Sequence, residues 1–431
     1  MASEANRREF LQSSTLAAAG VLAHGMFRGV SGQQSPTEQL SVGVIGCGRG
    51  LAHIKAINNG SAAKLSYICD IDKNRLAQGM KNAESQLKDK KAEMPTPISD
   101  MRRMLDDPKL DAIFVATPNH WHAPAAILGC TANKHVYVEK PGSHNPWEGE
   151  MLVAAARKYN RVVQMGNQRR TWTGLQEAVQ KLKEGVIGET LYARCWYNSA
   201  RGSIGTGKPA AVPESLDWST WQGPAPEQEY VDNLVPYNWH WRWKYGNGEL
   251  GNNGIHTLDV ARWGLGVEYP VKVTYLGNRY HFKDDQETPD TGSAIYDFGN
   301  KGISWDCSSC LPRREEKNDF VIFYGTEGSL HIVGSGYVIY NLQGKEIGKG
   351  SGSAGEQDHI NNFLSSIRTG EALNSDIEVG QKSTLLCHLG NMAYRTGTVL
   401  QFDPATKKIV DNPEAEKLWK REYREGWEPK I

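Results

Sequence analysis

The sequence carries no surplus of charge of either sign: 49 Lys and Arg stand against 49 Asp and Glu, and the isoelectric point is about 7.2. With no basic excess to hold a phosphate backbone, nucleic acid is not an expected partner. No apolar run approaches the roughly 18 residues that a spanning helix requires, so no membrane span is expected. Cysteine is sparse and odd in number, seven in all, without the even, regular spacing of a disulfide framework. Cys47, Cys69 and Cys130 fall at strand ends or in helical stretches and read as small buried hydrophobes. Cys307-Ser308-Ser309-Cys310 has redox-like spacing, but it stands in a β-rich stretch with no second pair, following helix or nearby histidine. It is read as two ordinary buried thiols. No set of His, Cys, Asp and Glu at metal-ligand spacing emerges, so no metal is expected.

What is present points elsewhere. A chain of 431 residues exceeds one ordinary core and implies two domains. Asn6-Arg7-Arg8-Glu9-Phe10-Leu11 resembles a twin-arginine export signal. A mildly apolar stretch from Leu16 to Phe27 follows, broken by glycine and His24, and then small residues at Val30-Ser31-Gly32. Arginine pair, weak apolar centre and small-residue end come in the order of an export address. Residues 1–35 are therefore set aside from the fold, and a periplasmic location is expected.

From Leu40 onward short apolar strands alternate with helical stretches. Strands are expected at Leu40 to Ile45, Lys64 to Cys69, Ala112 to Ala116, His135 to Glu139 and Val162 to Met165. Helices are expected at Lys73 to Lys90, Ala123 to Ala132 and Trp147 to Tyr159. This alternation predicts an α/β fold with a parallel, doubly wound sheet. The first strand runs into Gly46-Cys47-Gly48-Arg49-Gly50, a turn through which a backbone approaches a pyrophosphate at a helix N-terminus. The third glycine of the G-x-G-x-x-G pattern comes one residue early, with Leu51 in its slot. Asp70 stands about 20 residues on, where an acid accepts from ribose hydroxyls and repels a 2′-phosphate. NAD is thus favoured over NADP, with Asp72 as a competing acid and Arg75 as a neighbour able to offset the repulsion. Two more polar segments, Thr117-Pro118-Asn119-His120-Trp121-His122 and Glu139-Lys140-Pro141, follow the ends of later strands.

These motifs, in this order, resemble the glucose–fructose oxidoreductase and inositol dehydrogenase family, Gfo/Idh/MocA. Gln164-Met165-Gly166-Asn167-Gln168-Arg169-Arg170 is similar to the family's crossover segment, and the run from Gly246 to Asp259 to its glycine-rich entry to an active-site helix. Asn391-Met392-Ala393-Tyr394 and Gly426-Trp427 are similar to an exported bacterial branch with its own C-terminal domain. The resemblance implies a Rossmann domain over 36–166. It also implies an α/β domain over 167–431 with a large, open, mostly antiparallel sheet and closing helices. Strands there are read at Val271 to Leu276, Gly292 to Phe298 and Phe320 to Tyr324. An open sheet face implies a homo-oligomer, a dimer or tetramer.

The same resemblance assigns roles. Lys140 matches the lysine beside nicotinamide and reacting hydroxyl, and His256 the active-site histidine that takes the hydroxyl proton. Four residues before it, where sugar and inositol dehydrogenases carry an aspartate, this chain has Asn252, which orients a hydroxyl but takes no proton. Cofactor contacts are assigned to Gly46, Gly48, Arg49, Gly50, Asp70, Thr117, Pro118, Asn119, His122, Glu139, Lys140 and Gln168. Substrate contacts are assigned to Arg169, Trp241, Arg242 and Asp259, the last also able to brace its helix. Trp218, Trp221, Trp239, Trp241 and Trp243 offer either flat faces for sugar rings or an aromatic core. The expected function is hydride transfer between a sugar carbinol carbon and a tightly held NAD. Two alternatives stay open: glycoside cleavage through transient oxidation, and a non-catalytic nucleotide- or sugar-binding protein.

Overall fold

The structure is a computed structural model that describes residues 39–431 apart from positions 91 and 317. The export signal read at 1–35 lies outside the described residues. The first layer of structure runs β1 (Leu40–Ile45), α1 (Gly50–Asn59), β2 (Ala63–Cys69), α2 (Lys73–Leu87), β3 (Thr96–Ile98), α3 (Met101–Leu105), β4 (Ala112–Val115), α4 (Asn119–Thr131), β5 (His135–Val138), α5 (Pro146–Lys158) and β6 (Val163–Met165). All six strands are parallel, in the order β3-β2-β1-β4-β5-β6. β4, Ala-Ile-Phe-Val, is buried at every position, as suits a strand covered on both faces. The register sets the site. Ile45 pairs with both Cys69 and Val115, Val115 with Val138, and Val138 with Met165. Gly46, Asp70, Thr117, Glu139 and Gly166 therefore leave the sheet along one edge, where open α/β sheets bind ligands.

One boundary differs from expectation for a physical reason. The segment around Asn119 and His122 reads as a loop, yet α4 begins at Asn119 and carries Pro124 inside it. A proline there removes the N–H that would bond to the His120 carbonyl. Arg421 replaces it, donating from Nη2 to His120 O at 2.8 Å.

The second sheet is built from β7 (Thr190–Asn198), β8 (Lys272–Asn278), β9 (Thr291–Asp297), β10 (Gly302–Ser308), β11 (Val321–Gly325), β12 (Gly328–Val333), β13 (Gly336–Asn341), β14 (Glu346–Gly350), β15 (Leu400–Asp403) and β16 (Lys408–Val410). Its ten strands follow the order β14-β13-β12-β11-β7-β10-β9-β8-β15-β16 and are antiparallel except for the β7–β10 pair. α6 (Thr173–Lys183), α8 (Ile255–Leu265) and α10 (Ile377–Thr396) pack on one face. The other face is open. Leu276, Ile295, Tyr192 and Tyr324 point outward from it, Leu276 with 78% of its surface exposed.

Two short helices, α7 (Trp218–Gln222) and α11 (Pro413–Glu416), lie outside this layering, and α9 (Gln357–Thr369) crosses back to the first sheet. Ile360, Phe363 and Leu364 of α9 join the core formed by β1, β2 and α1. Each contributes about 1.5–3 kcal/mol of burial. The nucleotide sheet thus gets one covering helix from a segment that the sequence reading places wholly in the second domain. The seven cysteines are all buried and free, Cys307 and Cys310 included.

Candidate active site

The cofactor end of the site is built by the glycine turn. Gly46 has φ +93°, and a Cβ there would lie 2.5 Å from the Ala116 carbonyl, so only glycine fits. Gly50 opens α1 so close to β1 that a Cβ would meet Val44 Cγ1 at 2.9 Å. Close helix–strand packing, the task of the motif's third glycine, is thereby met one residue early, by Gly50. A Cβ on Gly48 would meet only Arg75 Nη1, at 3.6 Å, so its backbone faces open space. No side chain caps the amino end of α1, whose first N–H groups suit an anion.

That space is a cleft of about 470 Å³, lined by Gly46, Gly48, Arg49, Asp70, Thr117, Pro118, Asn119, Lys140 and Asn252, among others. Asp70 stands at the end of β2. Its carboxylate accepts from Cys47 N at 2.7 Å and Asp72 N at 2.9 Å, and burial pushes its pKa up. Thr117 Oγ1 is buried with no partner in the chain. An uncapped helix start, an orphaned hydroxyl and a buried acid along one cleft fit a dinucleotide.

At the inner end, Lys140 follows β5. Its Nζ donates to the Asn252 carbonyl at 2.7 Å and lies 3.4 Å from Asn252 Oδ1. Asn252 falls in a π-helical turn, Leu250–Gly254, that feeds α8. Such a turn breaks the α pattern of hydrogen bonds, as π turns often do at functional sites. Asn252 meets the lysine chiefly through its backbone carbonyl, whereas the sequence had implied its side chain. Burial lowers the Lys140 pKa, partly offset by Glu139. His256, half-buried at the start of α8, is held well below its ordinary pKa by burial and by the charges of Lys140 and Arg169. It is neutral near pH 7 and stands behind Asn252, outside the residues that line the cleft.

Several assigned residues take other work. His122 engages both ring nitrogens with the chain, Nδ1 at 2.6 Å from Pro141 O and Nε2 at 2.7 Å from Thr117 O. Its nitrogens brace the Lys140 loop, and the ring itself lines the cleft. Glu139 is buried within a cluster of Arg49, His53 and Lys140, and Gln168 Nε2 donates toward it at 3.4 Å. Burial opposes its ionisation, but the surrounding cations hold its pKa well below the ordinary range. Asp259 is not a substrate contact: it is buried and takes a forked pair of bonds from Arg170. Trp241 is only 2% exposed, with the Arg201 guanidinium 4.9 Å from its ring, so it too is framework. Arg242 pairs with Asp285 at 2.8 Å. Arg169 lies between the Trp172 and Phe320 rings, with its pKa down to about 10 through burial. Trp218 and Trp221 stack at 5.0 Å in a small aromatic core with Tyr245. Trp221 and Trp239 of that core also line the cleft, beside half-exposed Tyr237, whereas Trp218 does not.

His53 and Glu356 were missed. His53 follows Arg49 by one helical turn, which places both on one face of α1, a signal present in the sequence. Glu356 comes from a distant segment and gives no such signal.

Comparison with known proteins agrees with this geometry. Residues 40–167 match the oxidoreductase family's NAD-binding Rossmann fold, and residues 182–429 its C-terminal alpha/beta domain. Over 169 residues the chain is 29% identical to levoglucosan dehydrogenase of Pseudarthrobacter phenanthrenivorans, covering 39% of this chain and 36% of that one. It is 26% identical to a glycosyl hydrolase family 109 protein of Shewanella pealeana, covering 44% and 46%. The chain thus spans less than half the length of either relative. Among solved structures, the WlbA dehydrogenase from Bordetella pertussis, in complex with NADH and UDP-GlcNAcA, shares the fold. Its TM-score is 0.65 at 20% identity, covering 85% of this chain and 99% of that one. With both halves of the architecture matched over nearly all the described residues, the chain belongs to the Gfo/Idh/MocA oxidoreductase family.

Proposed function

We propose that this protein is an NAD-dependent oxidoreductase that moves a hydride between a carbinol carbon of a sugar, or sugar derivative, and the nicotinamide. One observation carries the reading. Lys140 is held against Asn252 at the inner end of the dinucleotide cleft, with neutral His256 at the start of the helix that follows. Bound NAD supplies the hydride acceptor. The chain's own part is to place the hydroxyl oxygen at the Lys140 ammonium and to give its proton a neutral imidazole to go to. The buried Asp70 supports NAD over NADP, because a 2′-phosphate beside it would be repelled.

The cofactor is held tightly. Leu216, Thr220 and Trp221 from the long connection after β7 line the cleft, and Lys73 N donates to Ser215 O of that connection at 2.9 Å. Trp427, edge-on to Trp121 at 5.5 Å, closes the same side. Purified protein is expected to release nucleotide on denaturation, and absorbance of the reduced nicotinamide should rise with one class in a panel of aldoses, polyols and uronic acids. Protein that neither carries nor reduces NAD or NADP with any of them overturns the reading. Asn252, standing where an acid would take a proton, supports a second reading in which the hydride returns after a glycosidic bond is cleaved. Release of aglycone without net cofactor reduction selects it.

Two further proposals accompany this one. The apolar open sheet face supports a homo-oligomer, and the Arg7-Arg8 motif supports export to the periplasm. A monomer by light scattering, or cytoplasmic retention equal to that of an Arg7→Lys/Arg8→Lys variant, overturns the one or the other.

A further inference from the structure

A buried ionic cluster lies just behind the glycine turn. Glu139 is the residue after β5, Glu356 the residue before α9, Arg49 the residue before α1, and His53 lies in the first turn of α1. Arg49 Nε donates to Glu139 Oε1 at 3.0 Å, and its Nη2 lies 2.8 Å from Glu356 Oε2. His53, with no exposed surface, sits between the same two acids. Its Nε2 is 3.2 Å from Glu139 Oε1 and its Nδ1 2.7 Å from Glu356 Oε1. Neither ring nitrogen makes an aligned hydrogen bond while Arg49 holds both carboxylates.

One side-chain ligand atom each of His53, Glu139 and Glu356 lies within 4.8 Å of the others, but Arg49 already pairs with both carboxylates, so the arrangement is an ion clamp. Two cations share two carboxylates, and they differ in freedom. His53 is enclosed, whereas 44% of the Arg49 side chain is exposed and the residue lines the nucleotide cleft. A pyrophosphate at the start of α1 competes for that guanidinium, which pairs well with phosphate oxygens.

We infer that Arg49 is shared between the Glu139–His53–Glu356 cluster and the cofactor's pyrophosphate, and that the His53 imidazolium alone holds the two carboxylates once the arginine turns to the phosphate. The inference rests on the cleft being a dinucleotide site. His53 is thereby a positioning residue. It touches no cofactor and keeps Glu139 ionised and in place beside Lys140.

The proton balance follows. Burial opposes the His53 charge, but Glu139 and Glu356 outweigh it and raise the pKa above the ordinary histidine value. Around the ring stand Arg49 just before its own helix, Tyr137 of β5 and Glu139 just after it with Lys140 beyond, and Glu356 just before α9, with His359 of α9 against the far side of Tyr137. Tyr137 is kept protonated by burial and His359, with a pKa near 4, is neutral, so neither competes for the role. Moving Arg49 away removes a neighbouring positive charge and raises the His53 pKa further. Cofactor binding then takes up a proton from solvent onto His53. Affinity is greatest below the His53 pKa of the free protein and falls as pH rises through it, by up to about tenfold per pH unit. Lys140 beside a cationic nicotinamide would release a proton, the opposite sign.

The test is titration calorimetry of cofactor-free, full-length protein with NAD, between about pH 6.5 and 9.5, in paired buffers of different ionisation enthalpy. Proton uptake is expected in the parent. In Arg49→Gln, where His53 remains as partner to both acids, the melting temperature should stay near that of the parent, and NAD should bind more weakly, with uptake abolished and affinity flat in pH. Binding without uptake in the parent, or unchanged uptake in Arg49→Gln, overturns the inference. Failure of NAD to bind at all overturns the reading of the cleft itself.

Discussion

Lys140→Met should lower kcat by about 10³-fold while NAD stays bound. The substitution keeps the aliphatic stem and removes only the ammonium at the inner end of the cleft. A cationic donor aimed at an oxygen on which negative charge develops contributes about 10²–10³ in rate, and 10³ corresponds to about 4 kcal/mol of barrier. The effect belongs in kcat, since the ammonium meets the reacting oxygen and not the dinucleotide phosphates. Stability should not suffer. The folded state lowers the Lys140 pKa, chiefly through burial, so it disfavours the charged form. At neutral pH that charge costs stability, and the cost fades only as pH rises past the lowered folded value. Removing it leaves the melting temperature unchanged or raised. Nucleotide content after denaturation, single-turnover absorbance and a thermal melt separate these effects. A variant that turns over within tenfold of the parent takes Lys140 out of the chemistry.

The doubly wound sheet was legible because its signal is local. Continuous apolar runs as short as Ala112–Val115, bounded by turn residues, read as strands buried on both faces, and the turns between them carry their own glycines and acids. Lys140, Asp70 and the glycine turn could be placed for the same reason: strand ends in one parallel sheet reach one edge. What stayed hidden depends on partners far along the chain. Asp259 looked available to a substrate until Arg170 was found opposite it, and the His122 nitrogens to a cofactor until Pro141 O and Thr117 O were found beside them. Asn252 and His256 have the spacing of one helical face, but the π turn between Leu250 and Gly254 alters that geometry, and no residue preference announces such a turn. Glu356 and α9 belong to the nucleotide side only through contacts made some 300 positions after Arg49 and His53.

Asp259→Ala is expected to be the most destabilising single change near the site, costing about 3–5 kcal/mol. Arg170 donates from Nε to both carboxylate oxygens, at 3.0 and 2.9 Å, and from Nη2 at 2.8 Å. Ser383 Oγ donates to the same carboxylate at 2.6 Å. Both members of the pair are almost wholly buried, with side chains 6% and 2% exposed. Removing the acid strands Arg170 and also Arg262, whose pKa burial and Arg170 have already brought down to about 10. An uncompensated buried charge is far more costly than the pair's own net worth, so the loss should shrink when both partners go. Asp259→Leu with Arg170→Met should recover much of the stability that the single variant loses. In a chain of this size the single variant should melt roughly 10 °C lower. Urea titration of the parent, the single variant and the double variant measures the coupling. A loss below about 1 kcal/mol would return Asp259 to the list of substrate contacts. A large loss, recovered in the double variant, identifies it as the tie between the turn that carries Arg169 and the helix that carries His256. The hydroxyl-binding end of the site then owes its geometry to a carboxylate that the substrate never meets.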